Sequence, residues 1–191
     1  LTLADVTGHA MEAAIPVVMF SGILENQIIL DGTLENVYQN LNGLLCRRLE
    51  TQRTFVCFVM AEIDIRTHNM RLSNGACPYP YHFIAASGKV EELQTEAYPL
   101  GVDLNTNYEV IQRQLSPGDY LVFCSDGIIE AANAEEEPFG FDRVEQAIRD
   151  ICKKEQSASA VIDHLLDEVS TFVHDQQPTD DMTCMVMHLE T

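Results

Sequence analysis

Basic side chains are scarce in this sequence: 11 Lys and Arg stand against 30 Asp and Glu in 191 residues, a formal charge of −19. A nucleic-acid surface needs a basic footprint and anionic lipid attracts one, so the sequence speaks against nucleic acid and against lipid docking. No apolar run approaches the ~20 residues of a membrane-spanning helix, which implies a soluble chain with no membrane span. A basic stretch, an apolar core and a small-residue cleavage site are all missing from the start, so no secretory signal is read there. Leu1-Thr2-Leu3-Ala4 reads instead as the middle of a strand, and the sequence is expected to be a piece of a longer protein. Repeats, low-complexity tracts and linkers are also absent. At roughly 150 residues per domain, residues 1–191 read as a single domain. Their 46% apolar content is enough for a core.

Cysteine is present without the spacing of a metal or disulfide frame. Cys46, Cys57, Cys77, Cys124, Cys152 and Cys184 include no C-x-x-C pair, and most stand inside apolar segments such as FVCFVM and LVFCSD. This pattern predicts buried, reduced thiols and a cytoplasmic protein.

The periodicities alternate between helix and strand. Thr2 to Val6 reads as a short strand entering the turn Thr7-Gly8-His9. From Met11 to Leu30 the spacing of Ala14, Val17, Val18, Ser21, Leu24 and Ile28 predicts a helix with that face inward, and Pro16 falls near its start. Thr33 is placed to cap a second helix whose inner face is Leu34, Val37, Leu41, Leu44, Leu45 and Leu49. Strands are predicted over Phe55–Asp64, Met70–Asn74, Tyr81–Ala85, Val90–Leu93, Tyr108–Leu115 and Tyr120–Cys124, joined by short turns that favour antiparallel pairing. Two helices, Phe141–Cys152 and Ser157–His174, then a loop at Gln176–Thr179 and a strand from Met182 to Leu189, complete the chain. The order predicts an α+β fold, an antiparallel sheet system covered by helices.

Aspartates stand where strands meet turns: Asp5, Asp126 and the pair Asp180-Asp181. Carboxylates gathered at one sheet edge repel unless they are protonated or share a cation. Oxygen-only ligation suits Mg²⁺ or Mn²⁺ rather than Zn²⁺. The bland alternative is that each aspartate only bonds its own turn.

The segments ADVTGHAMEAA, LSPGDYLVFCSDGIIEA and PTDDMTCMVM, in this order, resemble three signatures of the bacterial SpoIIE/RsbU-type branch of the PPM family, the metal-dependent, protein phosphatase 2C-like enzymes. NMRLSNGACPYPYHF, AYPLGV and EEEPFGFDRVEQAI are similar to the family's connecting core, so the resemblance covers nearly the whole chain. It implies an α-β-β-α sandwich of two mainly antiparallel sheets, lacking its first strands in this piece. It also implies a Ser/Thr protein phosphatase that uses two Mn²⁺ or Mg²⁺ ions and water. By position, Asp5 would bridge both ions and the Val6 carbonyl would add a ligand. Asp126 and Asp180 would bind one ion, with Asp181 the alternative at that place. Gly8, His9 and Gly127 belong to the same motifs, and His9 reads either as a helix-start residue or as a general acid. The other histidines, His68, His82, His164, His174 and His188, have no ligand spacing and read as surface or packing residues. No cysteine has Arg six residues later, so a cysteine-based phosphatase loop is missing.

The family's upstream acidic motif of the GGDFYD kind falls before Leu1; without it the second ion is expected to bind poorly and this piece to be inactive. Ala4 and Ala10 stand where the family usually has Gly. The implied partners are a phosphorylated protein of the anti-sigma-factor-antagonist type, an upstream sensor or receiver domain, and a second copy in a homodimer, the last two acting through the first two helices. The competing expectation is a catalytically weak or inactive phosphatase-like binding module.

Overall fold

A computed structural model describes residues 1–7, 11–30, 32–49, 54–154, 156–174, 176 and 180–190, with the helical backbone alone at 11–13 and 48–49. The described residues form two compact units, residues 1–77 with 95–114 and residues 78–94 with 115–191. Each unit is one four-stranded antiparallel sheet with helices packed on it. A pair of helix-backed antiparallel sheets is the inventory of a PPM-type α-β-β-α sandwich.

In the first unit the strands are β1 (Thr2–Val6), β2 (Val56–Ile63), β3 (Asn69–Gly75) and β6 (Ile111–Gln114), in that spatial order. The helices are α1 (Met11–Ile29) and α2 (Leu34–Leu49). Alternation along β2 turns Val56, Phe58 and Met60 into one core with Phe20 of α1 and with Leu34, Val37, Tyr38, Leu41 and Leu45 of α2. The centre is aromatic: the Phe20 and Tyr38 rings each lie 5.1 Å from that of Phe58. Tyr38 fits there because its hydroxyl donates to the Ser73 carbonyl at 2.5 Å, with the Phe58 carbonyl at 3.0 Å. Burial pushes that phenol well above its ordinary pKa. Thr33 caps α2 as expected, its Oγ1 accepting from the Asn36 amide at 3.4 Å.

The inner face of α1 differs from the expected one. Ala14, Val17, Val18, Ser21 and Ile28 are exposed, with Val18 at 72%. The covered side runs through Pro16, Phe20 (4% exposed), Ile23 and Leu24. The sixth strand, expected from Tyr108 to Leu115, pairs only over Ile111–Gln114, while Tyr108 turns into the core. The Leu49 side chain and residues 177–179 of the expected loop lie outside what the structure describes.

In the second unit the spatial order is β5 (Lys89–Glu92), β4 (Tyr81–Ile84), β7 (Tyr120–Cys124) and β8 (Cys184–His188). Helices α4 (Gly140–Cys152) and α5 (Ala158–Val173) cover it through Val144, Ile148, Val161, Leu165 and Val169. Ser157 caps α5, its hydroxyl accepting from the Ala160 amide at 3.2 Å. The Ser116–Asp119 turn leading into β7 is held from inside. Asp119 accepts from the Ser116 and Ala85 amides, each at 2.9 Å, and pairs with the buried His82 ring at 3.0 Å. Among the described residues no disulfide joins the six cysteines. Cys77, Cys124 and Cys152 are buried as expected, but Cys46, Cys57 and Cys184 are only half-buried.

Candidate functional site

The site begins where β7 ends. All five residues of β7 are buried, and the chain leaves the sheet through Ser125 into α3 (Asp126–Ile129), a single helical turn too short for any periodicity to reveal. Ser125 is extended, at φ −74° and ψ 165°, and Asp126 is the first residue of the turn. One Asp126 carboxylate oxygen accepts from the Gly127 amide at 2.9 Å.

The segment entering β8 lies against this corner. Ser125 donates its backbone N–H to the Thr183 carbonyl at 2.9 Å. Its hydroxyl accepts from the Thr183 amide at 2.9 Å and donates to the Asp181 carbonyl at 3.2 Å. Gly127 is packed so closely that a methyl group on it would sit 2.3 Å from the Asp181 carbonyl oxygen and 3.5 Å from the Asp180 carbonyl carbon. One Asp180 carboxylate oxygen accepts from the Asp181 amide at 2.8 Å, and both aspartates are exposed. Asp126, Gly127, Asp180 and Asp181 are thus brought together inside the second unit.

Asp5 and Val6 stand at the end of β1 in the first unit, paired in register with Cys57 and Val56. Asp5 is exposed and Val6 half-buried. The exit from β1 is fixed by Thr7, whose amide and hydroxyl both donate to the Phe55 carbonyl at 3.1 Å, while its hydroxyl accepts from the Phe55 amide at 3.0 Å. Gly8, His9 and Ala10 lie outside the described residues.

Among the described residues, no group of three or more His, Cys, Asp or Glu is arranged to hold a metal ion. The donor chemistry of the Asp126 corner nevertheless fits a hard cation. Asp126 and Asp180 each give one carboxylate oxygen to the next backbone amide. The second oxygen of each is of the kind that Mg²⁺ and Mn²⁺ take. Cys124, one residue before Ser125, belongs instead to the apolar core. The hydrogen bond to Cys184 and its own burial hold the Cys124 thiol well above its ordinary pKa.

Two residues that shape the site were not singled out from the sequence, Ser125 and Thr7. The available signal was a hydroxyl residue at a strand end within two positions of a candidate aspartate. Two of the scattered histidines pack on neighbours: His82 pairs with Asp119, and the His188 ring stacks on Tyr120 at 4.1 Å.

The family model described as Stage II sporulation protein E (SpoIIE) matches residues 1–190. Stage II sporulation protein E of Bacillus subtilis (strain 168) is 26% identical over 170 residues, which is 87% of this chain and 19% of that protein. The chain therefore spans about a fifth of the length of that relative. Among solved structures, the SiaA-PP2C domain of Pseudomonas aeruginosa superposes with a TM-score of 0.86 at 17% identity, covering 99% of this chain and 75% of that one. The PP2C phosphatase domain of the cell fate determinant SpoIIE from Bacillus subtilis, with a fragment of its regulatory domain, gives 0.77 at 20% identity, covering 99% and 52%.

Proposed function

The chain belongs to the SpoIIE family, in the SpoIIE/RsbU branch of the PPM/PP2C-like phosphatases, and on that premise we propose that residues 1–191 act as one metal-dependent protein Ser/Thr phosphatase domain. The observation that carries this reading is the close approach of Gly127 to Asp181, which sets the Asp180-Asp181 segment beside Asp126. Asp126 and Asp180 are the ligands of one ion, with Asp181 the second choice. Asp5 is the carboxylate that two ions share, and the Val6 carbonyl is a further ligand. When bound, a pair of Mn²⁺ or Mg²⁺ ions supplies positive charge against the phosphoryl oxygens and makes a water acidic enough to ionise near neutral pH.

The chain's own residues provide position. Ser125 and Gly127 hold the two Asp126-side ligands together, and Thr7 fixes the strand end that carries Asp5 and Val6. In this reading water is the nucleophile, so no phosphoenzyme is formed and none of the six cysteines is needed to attack phosphorus.

The substrate class we propose is a phosphoserine or phosphothreonine protein of the anti-sigma-factor-antagonist type, in a bacterial cytoplasmic signalling pathway. Among the described residues no helix is long and apolar enough to cross a membrane. The exposed apolar side of α1, with Ile15 at 64% and Ile29 at 74%, supports docking of an upstream sensor or receiver domain, or of a second copy, on that helix.

The test is phosphate release from a phosphorylated antagonist protein by the protein extended upstream of Leu1 through the acidic motif the family resemblance implies, with Mn²⁺, with EDTA, and with Asp126→Asn. Metal-dependent release lost in Asp126→Asn supports the reading. No release from a protein that is folded and carries Mn²⁺ favours a phosphatase-like binding module.

A further inference from the structure

Two cysteines face each other where β7 ends and β8 begins: Cys124 is the register partner of Cys184. The ladder's alternation decides how near they are. Ser125, one position on, donates its amide to Thr183, so that position is hydrogen-bonded and the Cys124/Cys184 position is not. At non-hydrogen-bonded positions of an antiparallel pair, opposed α-carbons stand about 4.5 Å apart. That falls within the ~4.4–6.8 Å that a disulfide bridges. Tyr120 and His188 occupy the same parity on the same strand pair, and their rings stack at 4.1 Å. The two thiols differ in access, Cys124 being buried and Cys184 half-buried on an outer strand of the sheet.

We propose that Cys124 and Cys184 are a reversible redox dithiol, oxidised by hydrogen peroxide to a disulfide that clamps β8 to β7. The Cys184 sulfur attacks peroxide: an S–O bond forms, the O–O bond breaks, and one water leaves with the thiol proton. The Cys124 sulfur then attacks the sulfenic sulfur of Cys184, forming the S–S bond and releasing a second water. The two thiols together lose two electrons to one peroxide, and a dithiol reductant reverses the step by exchange. The bond joins the residue two before Asp126 to the residue three after Asp181, so it covalently ties the two segments of the candidate site. It does not depend on that site being a phosphatase. Of the remaining cysteines, Cys46 and Cys152 lie on helices and Cys77 follows β3. Cys57 faces Asp5 across its ladder.

The experiment is a peptide map of the folded protein after hydrogen peroxide and alkylation. The expected result is a peptide linking Cys124 to Cys184, two hydrogens lighter than the sum of its parts, that disappears with dithiothreitol. The link is absent in Cys184→Ser and persists in Cys152→Ser, and oxidation shifts the thermal unfolding midpoint upward. Recovery of both thiols in alkylated form, sulfonic acid at Cys184 beside an alkylated Cys124, or linkage of either residue to another cysteine would each overturn the proposal. The wild-type map alone decides it should a variant fail to fold.

Discussion

Gly127 and Asp181 meet at a distance that leaves no room for a side chain: a methyl group on Gly127 would lie 2.3 Å from the Asp181 carbonyl oxygen. The neighbour is backbone, which cannot rotate aside, so the whole 180–181 segment would have to retreat from Asp126. Gly127→Ala should destabilise the protein by about 1–3 kcal/mol, as overpacking does. It should also weaken Mn²⁺ binding, because the two proposed ligands are pushed apart. Urea unfolding and a Mn²⁺ titration check the two effects, and unchanged Mn²⁺ affinity in a folded variant contradicts the second.

Ser125 holds the same segment by a hydroxyl that both accepts from Thr183 and donates to Asp181. Ser125→Ala removes both hydrogen bonds at this part-buried corner, at an expected cost of about 0.5–1.5 kcal/mol. Ser125→Thr keeps the hydroxyl and should recover most of it. Urea midpoints of the two variants measured together decide the matter; equal losses would mean that packing and not the hydroxyl matters.

Phe20 and Val18 lie on opposite sides of α1. Phe20→Ala should cost about 3–5 kcal/mol, as the loss of a buried aromatic does. Val18→Ser, on the exposed side, should change stability by no more than about 0.5 kcal/mol. A reversed order in denaturant melts would restore the face expected from periodicity.

How far α1 and its neighbours could be read in advance follows from their composition. Along α2, Glu35, Asn36, Gln39 and Asn40 interrupt the apolar residues and leave one stripe, so the inner face of Leu34, Val37, Leu41 and Leu45 was readable. The first half of α1 has almost no polar residue to set the phase: Ile15, Val17, Val18, Met19 and Phe20 surround it, and packing chose Phe20. The strands were readable because β2 and β7 are short apolar runs bounded by turn residues. At the candidate site, the aspartates were visible from their place at strand ends. The Ser125 clamp was not, since its Asp181 partner is 56 residues away and the register joining them is tertiary information.

Arg71 binds Glu35 of α2 and Glu62 of β2 from β3. The hydrogen bond from Arg71 holds the Glu35 carboxyl below its ordinary value. A carboxyl depressed in the folded state stabilises fully above the unfolded glutamate value, near pH 4.3. That contribution is lost as the pH falls through the folded value. With side chains 31% and 44% exposed, the pair contributes no more than about 0.5 kcal/mol. Glu35→Gln should therefore lower stability slightly at neutral pH and match the parent once both are well below the glutamate range. Urea midpoints at the two pH values check this, and a difference that grows on acidification contradicts it.

The central claim is that Asp126 and Asp180 share a divalent ion, and a calorimetric Mn²⁺ titration tests it most directly. The expected result is saturable binding by the parent protein, weakened at least about tenfold by Asp126→Asn and by Asp180→Asn, a loss of ~1.4 kcal/mol or more in each, and little changed by Asp181→Asn. Binding that survives both Asp126→Asn and Asp180→Asn at parental affinity, in folded protein, would contradict it.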